Sequence, residues 1–174
     1  MELKYNYWYF PKVIKKETCN KIISTCLKKK QVKGSVYNTI EKEGKLSLKN
    51  GVNPNIRDCK IYWISSEWIY GILNPFIHSA NKQAGWNFQW DWNEPSQFTV
   101  YNKNQFYGWH CDQMAVPFRN RNSKKFNNKI RKLSLTLQLT DPSEYEGGDL
   151  QFKWFHKNTV KKETVKIARE VGSI

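Results

Sequence analysis

The spacing of apolar positions divides the chain into a helical first half and a strand-rich second half. Cys19, Ile22, Ile23, Cys26 and Leu27 recur at i, i+3, i+4, i+7 and i+8, which lays one apolar stripe along a helix over residues 16–30. Lys28, Lys29 and Lys30 close it, where cations suit the negative end of the helix dipole. Trp68, Ile69, Ile72, Leu73, Phe76 and Ile77 give a second helix, over residues 67–83, a broad apolar face. Pro75 inside that pattern predicts a kink or a split. Residues 5–10 read as a short strand stopped by Pro11, and residues 61–64 as another. Residues 31–54 are polar and punctuated by glycine, so they read as a long loop with short extended pieces.

From Asn87 onward the period changes. Residues 98–101 predict a strand, and residues 132–140 alternate, with Leu133, Leu135, Leu137 and Leu139 on one face. Asp141-Pro142-Ser143 and Gly147-Gly148 are turn signals, and residues 150–155 and 164–167 are further strand candidates. Helices followed by antiparallel strands predict an α+β fold whose strands form a barrel or jelly roll. The length of 174 residues fits one domain, with a helical support region over residues 1–86 and a strand core over 87–174.

Composition removes several classes. With 39% hydrophobic and 15% aromatic residues, the chain is not disordered as a whole. No apolar run approaches the ~18 residues of a membrane span. Residues 1–10 carry no signal-peptide pattern, which points to the cytoplasm. The net charge of +14 invites a nucleic-acid reading, but 24 of the 29 basic residues are Lys and only five are Arg. Base and phosphate readout leans on the Arg fork, so a solvated Lys-rich surface is the favoured account. Cys19, Cys26, Cys59 and Cys111 form no Cys-x-x-Cys pair, which disfavours structural zinc and favours reduced, buried thiols.

The candidate chemistry sits on one of three histidines. His78, at the end of the second helix, reads as exposed or capping, and His156 as a strand-end residue. His110 lies in Tyr107-Gly108-Trp109-His110-Cys111-Asp112. In a strand, i and i+2 face the same way, so His110 and Asp112 can offer a nitrogen and an oxygen to one ion. A third ligand from a neighbouring strand would complete a two-histidine, one-carboxylate site. Residues 113–132 carry Arg119, Arg121, Lys124, Lys125, Lys129, Arg131 and Lys132 with no acid, and read either as a basic lid or as a solvated loop.

The segments Gln97-Phe98-Thr99-Val100-Tyr101, Tyr107 to Asp112, Arg131 to Leu139 and Tyr145-Glu146-Gly147-Gly148-Asp149-Leu150 together resemble the Fe(II)/2-oxoglutarate-dependent oxygenases. The prolyl 4-hydroxylase-like group, with its bacterial and phage hydroxylases, is the most similar branch. The resemblance implies a double-stranded β-helix, which is a jelly roll, with Fe(II) in its mouth. It implies His110 and Asp112 as metal ligands, Tyr101 as a hydrogen-bond partner of 2-oxoglutarate, and Ser134 facing the cosubstrate's distal carboxylate. It implies O2 and a peptidyl, prolyl-like or small organic substrate, release of succinate and CO2, and ascorbate as a further cofactor candidate.

The same resemblance implies a second histidine late in the barrel, followed by an Arg or Lys. The sequence closes on Glu170-Val171-Gly172-Ser173-Ile174 without either, so it reads as a fragment lacking its last strands. The alternative is a genuine end, with His156 recruited or no metal bound. The competing functions are an inactive jelly-roll binding protein and a nucleic-acid-directed basic protein.

Overall fold

The computed structural model describes residues 4–42, 45–113, 117–118, 127–155, 162–167 and 170–174, with side chains at 38–48, 155, 162 and 163 left aside. His156 and the greater part of the basic stretch 113–132 lie outside the described residues. Helix α1, Lys16–Leu27, begins where the periodicity puts it and stops three residues earlier than expected. Cys19, Ile22 and Cys26 are 0–4% exposed, whereas Leu27 is 50% exposed, so no apolar stripe remains to bury beyond it. Burial pushes the Cys19 and Cys26 thiols up from their ordinary value, and all four cysteines are free. None of the described helices is long and apolar enough to cross a membrane.

The described residues group into two compact units. The first comprises Met1–Ile23, Ser66–Trp92 and Gln113–Ile174. Its helix α2, Glu67–Gln83, continues through Pro75, so the chain is not split there. Packing on both sides of the proline outweighs its local cost of ~3 kcal/mol. Ile69 is buried before it, and Phe76 meets Phe10 edge-on at 5.3 Å after it. Buried Asn81 then clasps the chain leaving the helix: its Nδ2 donates to the Phe88 carbonyl (2.8 Å), and the Phe88 N–H donates back to Oδ1 (3.0 Å).

Residues 5–10 form no strand. Their aromatic side chains pack one by one instead of presenting two alternating faces to a ladder. Tyr7 stacks on Phe152 at 5.5 Å, and the Tyr5 carbonyl accepts from Trp86 Nε1 at 2.7 Å. Phe10 alone pairs as a strand residue would, exchanging two hydrogen bonds with Ile174 (2.8 and 3.0 Å). Ile14 N–H donates to Gly172 O, Gly172 N–H to Gln138 O and Gln138 N–H to Ser173 O, so the segment 172–174 lies between segment 10–14 and Gln138. Gly172 has φ +78°, and a Cβ there would stand 1.8 Å from Ile14 O.

The expected strand 132–140 keeps its alternation but not its ladder. Leu133, Leu135, Leu137 and Leu139 are half-buried while Lys132, Ser134 and Thr136 are exposed, yet no strand forms there. Hydrophobic alternation directs side chains to one face. A ladder also needs a partner in register, and among the described residues only Gln138 of this stretch finds one. Asp141 caps a short 3-10 helix, Pro142–Glu144, by accepting from Ser143 N–H (3.1 Å), and those bonds hold its carboxyl below the usual value. Strands β8 (Gln151–Phe155) and β9 (Lys162–Lys166) pair antiparallel, close to their expected places.

The second unit comprises Ser24–Ser65 and Asn93–Asp112. Strands β1 (Gln31–Lys33), β5 (Lys60–Ile64) and β6 (Ser96–Val100) form an antiparallel sheet with β5 in the middle. Ile61 and Ile64 of β5 are 1% and 3% exposed and anchor its core. The stretch expected to be a long loop contains an antiparallel hairpin, β2 (Val36–Lys42) with β3 (Lys45–Gly51), in register from Val36↔Gly51 to Lys42↔Lys45. Its pairing is carried by backbone, and its lysines and glutamates dilute the apolar alternation that signals a strand. Two-residue strands β4 (Arg57–Asp58) and β7 (Phe106–Tyr107) pair antiparallel.

The class is therefore α+β, as expected. Among the described residues the strands form one three-stranded and three two-stranded antiparallel sheets, and no closed jelly roll.

Replacing Gly172 by Ala is expected to lower stability by about 2 kcal/mol or more, through the left-handed backbone and the contact with Ile14 O; an unchanged urea midpoint would refute this. Glu170, 2.7 Å from Lys12 Nζ, is held below its ordinary value of 4.5, first by the hydrogen bond from Lys12. Its contribution is thus present above 4.5 and lost as pH falls through the lower folded value. Lys12 is raised above 10.5 by the same carboxylate, so its contribution is lost as pH rises through the folded value. The urea-midpoint gap between wild type and Glu170→Gln should accordingly be present at neutral pH and close at both extremes.

Candidate functional site

The site is built within the second unit, around one buried cation. Arg57 on β4 is 6% exposed and stands opposite Tyr107 on β7. Gly108 continues that pairing, its N–H donating to Ile56 O at 2.8 Å. A guanidinium out of water must place its N–H groups on acceptors. Arg57 Nε donates to Cys59 Sγ (3.1 Å), Nη1 donates to the Ser35 carbonyl (3.2 Å), and Nη2 donates to Gln97 Oε1. Its carbon Cζ lies 4.2 Å from the Tyr107 ring centroid, a cation–π contact. Gly34 makes room for this arrangement, since a Cβ there would fall 2.5 Å from Cys59 Sγ.

Beyond β7 the chain bends, and the ring of Tyr107 stacks on the imidazole of His110 at 3.6 Å and 11°. His110 Nδ1 lies 2.7 Å from the Gly108 carbonyl. A carbonyl only accepts, so Nδ1 carries the proton, and in the neutral imidazole Nε2 is left with its lone pair. Nε2 faces Asp112 Oδ1 at 3.4 Å, with the two side chains 35% and 49% exposed. The Asp112 carboxylate raises the imidazole above its ordinary value, chiefly by hydrogen bonding, while burial and Arg57 oppose it.

His110 and Asp112 are thus brought together, but not by strand alternation. Residues 108–113 form no strand, and the bend after β7 sets their approach. Two donors on one octahedral ion, each ~2.1 Å away and at right angles, lie about 3 Å apart. The separation of 3.4 Å suits that bite with a shift of a few tenths of an ångström. Among the described residues no third His, Cys, Asp or Glu joins them.

Tyr101 follows β6 directly and is 46% exposed as a residue. Desolvation pushes its phenol up, Cys59 adds to this, and the Arg57 guanidinium pulls the other way. Ser134 is exposed and belongs to the first unit, on the polar side of the stretch 132–140. His78 is exposed, as expected, with its ring 4.6 Å from that of Trp90. Arg57 escaped the sequence reading. Its signal was its rarity: it is the single Arg before Arg119 in a chain that otherwise writes its cations as Lys.

Residues 96–174 match the family model of the 2OG-Fe(II) oxygenase superfamily. The match includes Tyr101, Tyr107, His110, Asp112 and Ser134. No curated protein and no solved structure matches the chain.

Arg57→Ala removes the hydrogen bonds to Cys59 Sγ, the Ser35 carbonyl and Gln97 Oε1, each worth roughly 1 kcal/mol net where water can replace the donor. A loss of roughly 3 kcal/mol in urea unfolding is expected, with Arg57→Lys intermediate because it keeps the charge without the fork. Equal stability of Arg57→Ala and wild type would show that the guanidinium is not the hub.

Proposed function

We propose that the chain is an Fe(II)- and 2-oxoglutarate-dependent dioxygenase of the prolyl 4-hydroxylase-like group. It hydroxylates a peptidyl, prolyl-like residue or a small organic molecule. O2, 2-oxoglutarate and a substrate C–H are consumed, and the hydroxylated substrate, succinate and CO2 are returned. One observation carries the reading: His110 Nε2 and Asp112 Oδ1 face each other at 3.4 Å, with Nδ1 on the Gly108 carbonyl. They do so inside the stretch that matches the oxygenase family.

His110 and Asp112 hold the metal in this reading. Bound iron supplies the redox chemistry that side chains lack. The protein's part is positional. The Gly108 carbonyl keeps the proton on Nδ1, so that Nε2 remains a ligand. The Asp112 carboxylate offsets part of the cation's charge. The Tyr101 hydroxyl donates to 2-oxoglutarate. Ascorbate is the reductant that would keep the iron ferrous. The cytoplasm is the compartment in which the buried thiols of Cys19 and Cys26 stay reduced.

The test is iron-dependent release of succinate from 2-oxoglutarate by the purified chain. His110→Ala and Asp112→Ala are each expected to lower it at least a hundredfold while the urea midpoint shifts by less than ~1 kcal/mol, as both side chains are partly exposed. Turnover that persists in both variants would overturn the ligand assignment. Metal-independent binding of a ligand, without succinate from wild type, would favour the inactive jelly-roll binding protein.

A further inference from the structure

The Tyr107 ring is close to two flat groups at once. The His110 imidazole lies parallel to it at 3.6 Å, and the Arg57 guanidinium carbon stands over it at 4.2 Å. Two such groups on one face would overlap, so they occupy opposite faces and the ring is clamped between them. The clamp is anchored at its buried end. Arg57 is 6% exposed and held by Cys59, Ser35 and Gln97. At its outer end the imidazole is partly exposed and has one further backbone tether, the Gly108 carbonyl at 2.7 Å. The contacts at Nδ1 and at Nε2 leave the imidazole free to rock about the line through its two nitrogens. A parallel ring against its face removes this freedom.

We propose that Tyr107, held between the buried Arg57 guanidinium and the His110 imidazole, is a positioning residue that fixes the plane of His110 and so keeps Nε2 aimed at the point it shares with Asp112. The role is carried by the ring face and not by the phenol oxygen. Its consequence for metal binding rests on the oxygenase reading above; the clamp itself does not.

Two measurements on the full chain separate these. In the metal-free protein, ring current from Tyr107 should move the His110 ring C–H resonances upfield, with His110→Ala supplying the assignment. Tyr107→Phe should keep that shift and Tyr107→Leu should lose it, with circular dichroism and urea midpoint confirming that each variant is folded. Titration with Co(II) alone should then give wild-type affinity for Tyr107→Phe and affinity weakened about 10- to 100-fold for Tyr107→Leu, the usual effect of losing a group that orients a ligand. A His110 shift that survives in Tyr107→Leu overturns the clamp. Wild-type Co(II) affinity in Tyr107→Leu, with binding abolished in His110→Ala, overturns the positioning role. Should wild type itself fail to bind Co(II), the iron site assigned above fails, and the resonance shift still decides the clamp.

Discussion

A guanidinium 6% exposed to water is the constraint on which the second unit depends. Burying such a charge is costly unless its nitrogens meet acceptors and the cation meets electron density. Arg57 meets both conditions with groups from separate parts of the unit: the Ser35 carbonyl before β2, Cys59 just before β5, Gln97 on β6 and the Tyr107 ring on β7. Four side-chain and backbone positions are thereby tied to one planar group. The two-residue ladder of β4 and β7 would be too short to hold the same geometry alone.

The site inherits its order from that hub. Tyr107 transmits it to His110 by stacking, and the Gly108 carbonyl fixes which imidazole nitrogen carries the proton. The carboxylate of Asp112 then lies opposite the other nitrogen. The ion pair itself is partly exposed and is worth little as a stabiliser. Its significance is directional: a nitrogen and an oxygen, both partly exposed, face each other beside a ring that stacks on the buried guanidinium.

The first unit solves a different problem, that of holding segments distant in sequence without a long ladder. Segment 172–174 is shared between segment 10–14 and Gln138, and Ser173, 3% exposed, accepts from the Lys12 N–H at 2.9 Å. Gly172 is required there because its carbonyl and N–H must approach both neighbours where a side chain would collide. In the neighbouring stretch 132–140 the leucine period of two is visible in burial even where no strand forms.

The sequence by itself determined the elements whose apolar positions repeat with one period. Both helices, the strands β5, β6, β8 and β9, and the pairing of His110 with Asp112 through their spacing were legible in this way. It also determined, through Pro142, Gly147 and Gly148, where the chain turns. Tertiary structure alone decided the rest. The β2–β3 hairpin rests on backbone pairing between polar segments, and backbone hydrogen bonds leave no compositional trace. Continuity of α2 through Pro75 was settled by Phe10 and Asn81, partners remote from the helix pattern or placed at its end. Arg57 became a hub because residues 34 to 107 converge on it, and convergence is a property of the folded chain and not of any window of sequence. Even His110 and Asp112, adjacent enough to be read as a pair, owe their facing atoms to the bend after β7 and to the stacked ring of Tyr107, since spacing sets which residues can meet and packing sets which of their atoms do.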